Sequence, residues 1–180
     1  MIAFVIGKGL SGKSHYVKGF LARTKKPFIV LDPLQEYQVD VRYHSMDSVE
    51  AALRAGKFTG KNVGLTFATH DEGFEFFAWA YNLEPHILVI EEFHLYAKEY
   101  EASHALQRLL RMGRHKHIDV IGITHRFIDM PQIVVTQCNA IIIFCQQSVY
   151  DIRAIAQAIT PEVANQVMRL RDHEKIEHRF

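Results

Sequence analysis

The sequence predicts one α/β domain, a mostly parallel sheet with helices on both faces. Three observations predict it. Short, continuous apolar runs alternate with segments of helical period along the chain. Runs such as Ile87–Ile90 and Ala140–Phe144 lack in–out alternation, the pattern of strands buried on both sides, as in a covered parallel sheet. The 180 residues suit a single hydrophobic core, and no Pro/Gly/Ser-rich linker, repeat or low-complexity stretch divides residues 1–180.

The elements follow in order. Ile2–Ile6 reads as a buried strand. Lys13–Arg23 carries Tyr16, Val17, Phe20 and Leu21 at helical spacing. Phe28–Leu31 is a second strand. Ser45–Ala55 is a helix, capped by Ser45 or Asp47 and stopped by Gly56. Val63–Phe67 is a third strand. Glu72–Tyr81 is a helix rich in aromatics, whose Phe74, Phe77 and Tyr81 share faces and pack the core. Ile87–Ile90 is a fourth strand, Ala102–Met112 a helix ending near Gly113, and Ile118–Thr124 a fifth strand. Met130–Gln137 is a short helix with Pro131 in its first turn, Ala140–Phe144 a sixth strand and Ser148–Ile159 a helix. A last helix starts at Pro161 and runs to about Leu170. The polar tail, 171–180, is either a short edge strand or disordered.

Composition excludes several classes. With 48% hydrophobic and 23% charged residues the chain is a soluble globular protein. Its longest apolar runs are too short to span a bilayer. The N-terminus lacks the basic region and cleavage site of a signal peptide. Cys138 and Cys145 cannot form a disulfide framework, and buried free thiols in a cytoplasmic protein are expected. The histidines show no zinc-type spacing, so no structural metal is expected. A net charge of +1 does not mark a bulk nucleic-acid binder, so any contact with DNA must be a local patch.

Chemistry is announced at Gly7-Lys8-Gly9-Leu10-Ser11-Gly12-Lys13-Ser14, a full match to G-x-x-x-x-G-K-[ST]. A buried strand leads in and an amphipathic helix leads out, as the motif requires. Glycines let the backbone curl so that successive N–H groups face phosphate oxygens, and the helix adds its positive dipole end. Lys13 should reach the β- and γ-phosphates, and Ser14 should ligate Mg²⁺. ATP binding and hydrolysis with Mg²⁺ are therefore expected. The fourth strand ends in Glu91-Glu92. An acid there holds Mg²⁺ directly or through water, and the next can polarise the attacking water. Glu91 is assigned to the metal and Glu92 to the base. Successive strand residues point to opposite faces, so the two need not share a role.

Further segments carry a resemblance. Leu31-Asp32-Pro33-Leu34-Gln35-Glu36-Tyr37 is similar to a D-P-x-x-E-Y segment after strand two. Arg111-Met112-Gly113-Arg114-His115-Lys116 resembles a G-R-[KH] turn, and Ile121-Gly122-Ile123-Thr124-His125-Arg126 a strand ending in T-Q-R-P. Together with the phosphate loop these resemble the HerA/FtsK superfamily of P-loop ATPases, particularly the genome-packaging ATPases of membrane-containing viruses. The resemblance spans roughly residues 2–158. It implies a RecA-like P-loop NTPase fold and a homo-oligomeric ring, usually a hexamer, with ATP at subunit interfaces. It also implies an arginine finger supplied in trans by Arg114, with Arg111 as backup. His125 replaces the usual Gln that senses the γ-phosphate, and a neutral His can still donate one hydrogen bond.

What the resemblance implies is an ATP-driven translocase of double-stranded DNA that loads a viral genome into a capsid. Capsid or membrane-vertex proteins are its further partners, and host cytoplasm or the virion its location. The alternatives are a motor for filamentous-phage assembly or secretion, a small-molecule kinase for nucleosides or nucleotides, and a nucleotide-gated interaction protein without turnover. Two surfaces are candidates for DNA: the cluster Arg108, Arg111 and Arg114–His117, and the loop Arg126–Pro131.

Overall fold

The computed structural model describes residues 1–83, 85–98 and 101–180. The chain runs β1 (Ile2–Ile6), α1 (Lys13–Leu21), β2 (Phe28–Leu31), β3 (Val41–Tyr43), α2 (Met46–Arg54), β4 (Val63–Leu65), α3 (His70–Ala80), β5 (Ile87–Ile90) and two short strands, β6 (Ala97–Lys98) and β7 (Glu101–Ala102). It continues through α4 (His104–Met112), β8 (Asp119–Thr124), α5 (Gln132–Gln137), β9 (Ala140–Phe144), α6 (Val149–Ala158), α7 (Pro161–Met168) and β10 (Lys175–Arg179). All strands except β6 and β7, which pair with each other, form one sheet in the order β10-β9-β1-β8-β5-β2-β4-β3. Every pairing in it is parallel except β10 against β9.

The six expected strands and seven expected helices are all present, with ends shifted by a few residues. Helix α3 starts at His70 because Thr69 and Glu72 form a reciprocal capping box. The tail resolves as an edge strand, its exposure alternating along Lys175–Arg179. Strand β3 was not expected. Its three half-exposed residues form no apolar run.

The two faces are covered unequally. Among the described residues α1 alone contributes a helix to one face, where Val17 and Leu21 pack on Val5, Val30, Val89, Ile121 and Ile142. The other face carries α2–α7 around Phe4, Phe76, Phe77, Phe93, Leu106 and Ile141. Phe4 shows why β8 holds a glycine: its ring lies over Gly122, its partner in register, and a Cβ there would strike the ring. The same ring meets Phe93 edge-on at 4.8 Å. In α3, Phe74 and Phe77 pack against Tyr96, the core role expected. Both cysteines are buried free thiols. No helix among the described residues is long and apolar enough to cross a membrane.

Candidate active site

Parallel strands leave a crevice beyond their carboxyl ends, and the motif residues follow those ends. The loop after β1, the turn after β2 and the residues after β5 and β8 line one cleft of about 490 Å³. Gly9 to Ser14 form one wall, Asp32, Leu34 and Glu36 another, and Glu91, Glu92 and His125 complete it. The loop closes as its sequence requires. Gly12 caps α1 at φ 100°, which favours glycine, and Lys13 follows as the first helical residue. Gly7 abuts Phe144 and Ser11 too closely for a side chain.

Lys13 is 6% exposed, and its Nζ donates to the Lys8 carbonyl at 2.9 Å. Burial lowers its pKa, opposed by the negative charges of Glu92 and Glu91. Its Nζ also lies 3.3 Å from His125 Nδ1, and His125 Nε2 lies 2.9 Å from Glu92 Oε1. An ammonium only donates, so Nδ1 accepts and Nε2 carries the proton that bonds Glu92. The imidazole thus bridges the lysine to the carboxylate in its neutral form. His94 Nδ1 flanks the other Glu92 oxygen at 3.4 Å.

The two carboxylates do not diverge as strand alternation predicts. Glu91 still follows β2, its N–H donating to the Leu31 carbonyl. Glu92 then takes φ 50°, ψ 48°. That left-handed turn redirects its side chain, so both acids face the same cleft. Their surroundings differ all the same. Burial raises the Glu91 carboxyl above its ordinary range, while hydrogen bonds from Tyr37 and Ser14 pull it down. The Tyr37 hydroxyl donates to Glu91 Oε1 at 2.5 Å.

Tyr37 is itself held by a network that the sequence did not announce as functional. Asp32, 1% exposed, accepts from the Glu36 and Tyr37 N–H groups at 2.9 and 3.0 Å. Arg42 bonds Asp32 at 2.9 Å and the Tyr37 carbonyl at 2.9 Å. The D-P-x-x-E-Y segment is therefore a braced turn whose last residue steadies Glu91. The only signal in the sequence was the segment itself, and nothing marked Arg42.

Other expected residues lie elsewhere. Lys8 turns away from the cleft and pairs with Asp172 at 2.7 Å. Leu10 stays on the cleft wall but is 97% exposed at the loop's tip, with φ 59°. Arg114 sits in a short 3-10 turn before β8, at the opposite end of the sheet from the cleft. With about 3.3 Å per strand residue, six-residue β8 puts about 20 Å between Arg114 and its own phosphate loop. Of the basic cluster, Arg108 stacks on Tyr81 at 4.0 Å, while Arg111 and Arg114 remain exposed. In the loop Arg126–Pro131, Phe127, Met130 and Pro131 are buried and Arg126 is exposed.

The cleft fits a nucleotide triphosphate and a hard cation. The hydroxyl of Ser11 lines it and, like that of Thr124 nearby, is buried without a partner among the described residues. Loop N–H groups and Lys13 supply phosphate donors. The Ser14 hydroxyl and the Glu91 carboxylate supply the oxygen donors that Mg²⁺ prefers.

No family model matches the chain, and no curated protein matches it. Solved structures do. The genome packaging NTPase of Sulfolobus turreted icosahedral virus 2, in complex with AMPPCP, superposes with a TM-score of 0.82 at 22% identity, covering 99% of this chain and 91% of that one. VirB4 of Thermoanaerobacter pseudethanolicus gives a TM-score of 0.68 at 11% identity over 99% and 88% of the two chains. The N-terminal domain of zonular occludens toxin from Neisseria meningitidis gives 0.56 at 15% identity over 82% and 78%. A phosphate loop between β1 and α1 of a mostly parallel sheet, shared along its length with a packaging NTPase, gives this chain the α/β, RecA-like fold of the P-loop NTPases.

Proposed function

We propose that the chain is the subunit of a Mg²⁺-dependent ATPase motor that forms a ring and translocates double-stranded DNA, packaging a viral genome into a capsid. The observation that carries the hydrolytic part is the convergence of Lys13, Ser14, Glu91, Glu92 and His125 on one cleft. The similarity to a genome packaging NTPase across 99% of the chain supports the packaging part. In this reading Lys13 binds the β- and γ-phosphates, Ser14 and Glu91 hold Mg²⁺, Glu92 accepts a proton from the attacking water and His125 orients it. Bound Mg²⁺ supplies charge neutralisation on the triphosphate. Capsid or membrane-vertex proteins are the docking partners, and the host cytoplasm and virion the location.

A ring is the assembly that would complete the cleft. Among its lining residues Lys13 is joined by no arginine, although charge spreads over the transferred phosphoryl group. Arg114 is too far to serve its own site, which supports a role at a neighbour's. Arg114→Ala is expected to bind ATP normally and to lose 10³-fold or so of its turnover. Mixing it with Lys13→Ala subunits should restore activity at the hybrid interfaces. Absence of any rescue counts against a trans role.

Tyr37→Phe tests the metal side. Loss of the hydroxyl is expected to cost about tenfold in activity or Mg²⁺ affinity, the scale of an outer hydrogen bond to a metal ligand. Titrating ATP turnover with Mg²⁺ measures it, and an unchanged curve removes Glu91 from the metal.

The test of the whole reading is ATP hydrolysis with and without linear double-stranded DNA, with Glu92→Gln as control. Stimulation that vanishes in the variant supports a DNA motor. Turnover indifferent to DNA favours the second reading, a phage-assembly or secretion motor, which the similarity to zonular occludens toxin and VirB4 supports.

A further inference from the structure

We infer that Gln146 and Asp151 are positioning residues for His125, a role resting on the hydrolytic reading above. The segment after β8 is a connection at the sheet's end, where backbone is ordinarily mobile. Here two buried polar side chains from the β9–α6 connection and α6 itself pin it. Gln146, 5% exposed, donates from Nε2 to the His125 carbonyl at 3.0 Å. Asp151, fully buried, accepts from the Ile128 N–H at 3.0 Å and from Arg126 Nε at 3.3 Å. Both carboxylate oxygens are used, one for the backbone and one for the guanidinium.

Packing alone does not account for these residues. A buried amide and a buried carboxylate lose hydration that well-packed apolar side chains never had. Asp151 is placed to limit that loss, in the first turn of α6, where the helix dipole favours negative charge and Ser148 caps the end. What the pair fixes is the chain immediately after the imidazole: the carbonyl of 125, the side chain of 126 and the N–H of 128. The imidazole just ahead of these anchors must span 3.3 Å to Lys13 and 2.9 Å to Glu92 at once. Hydrogen bonds fail within a few tenths of an ångström beyond such distances. The frame thus holds the link between the group that meets the γ-phosphate and the group that meets the water.

The test uses the full chain with Gln146→Met, which keeps the volume and removes the donor, and Asp151→Asn, which keeps the shape and removes the charge. Gln146→Met is expected to keep ATP affinity and KM within about twofold and to lower kcat roughly 10- to 100-fold, as mispositioning by about an ångström does. Combined with His125→Ala it should lower kcat no further than His125→Ala alone, because both act through one group. Asp151→Asn should show the same pattern with a smaller loss. Additive losses in the double variant, or a change in KM with kcat intact, overturn the inference.

A second readout does not depend on turnover. In ¹⁵N-resolved NMR of the nucleotide-free protein, His125 should show the tautomer protonated at Nε2, and Gln146→Met should show mixed tautomers. An unchanged His125 signature in both variants overturns the positioning role whether or not the protein hydrolyses ATP. A changed signature without any wild-type turnover sustains the positioning and defeats the hydrolytic reading instead.

Discussion

Glu92→Gln is expected to bind ATP within about twofold of wild type and to hydrolyse it about 10²- to 10⁴-fold more slowly, the range a positioned general base contributes. The variant is chosen because the structure predicts that only chemistry changes. A Gln oxygen still accepts from His125 Nε2, so the bridge to Lys13 persists. The backbone demand is also the same. Residue 92 sits at φ 50°, which costs a non-glycine residue about 1–2 kcal/mol. That cost persists because the turn brings a second carboxylate onto the cleft where a continuing strand would turn it away. Single-turnover hydrolysis beside equilibrium ATP binding separates the two effects. A loss under about fivefold would transfer the base role to another group, with Glu91 next in line. Glu92→Gly makes the complementary case: relief of the left-handed strain should raise the unfolding midpoint while activity falls at least as far as in Glu92→Gln, because the acceptor for His125 is lost too.

These expectations start from residues visible in the sequence, because the phosphate loop and the acids declare themselves by spacing. A parallel sheet gathers the carboxyl ends of its strands, so Lys13, Ser14, Glu91 and His125 meet with no more assumption than the strand order. The all-apolar strands β1, β2, β5 and β9, of four or five residues, were legible for the same reason: burial on both faces leaves no alternation to misread. β3 was not legible, since Val41-Arg42-Tyr43 puts an arginine at its centre. That arginine is committed to Asp32 and to the Tyr37 carbonyl, contacts that only tertiary folding creates. Gln146 and Asp151 were hidden likewise. Each lies in or beside an unremarkable helix start, and its meaning depends on a loop 20 or more residues earlier. Local propensity governs elements, and the site's bracing is non-local. The direction of Glu92 failed differently: periodicity assumed a continuing strand, and one left-handed residue cancelled it.

The second large effect is structural. Asp32→Ala is expected to cost about 3–5 kcal/mol, because removing one partner of a buried ion pair strands the other. The stranded group is the Arg42 guanidinium, with a side chain 16% exposed, and two backbone N–H groups lose their acceptor with it. Against the 5–15 kcal/mol that stabilises an ordinary domain, this is a large share. Urea unfolding at fixed pH measures it as a lowered midpoint with an unchanged slope. Replacing the pair together, as Asp32→Ala with Arg42→Met, should return part of the loss, since the charge left behind is gone. A cost below about 1 kcal/mol for the single variant would show the turn to be held by something else. Function should fail before the fold does. The turn that Asp32 closes carries Tyr37 to Glu91, so ATP turnover in Asp32→Ala should drop further than in Tyr37→Phe even where the protein remains folded. Asp32→Asn, which can still accept from one N–H group, should fall between them in both stability and turnover. That ordering would tie the brace to Glu91, the carboxylate proposed to hold Mg²⁺: a purely structural Asp32 would lower the unfolding midpoint and leave the Mg²⁺ dependence of the folded fraction unchanged.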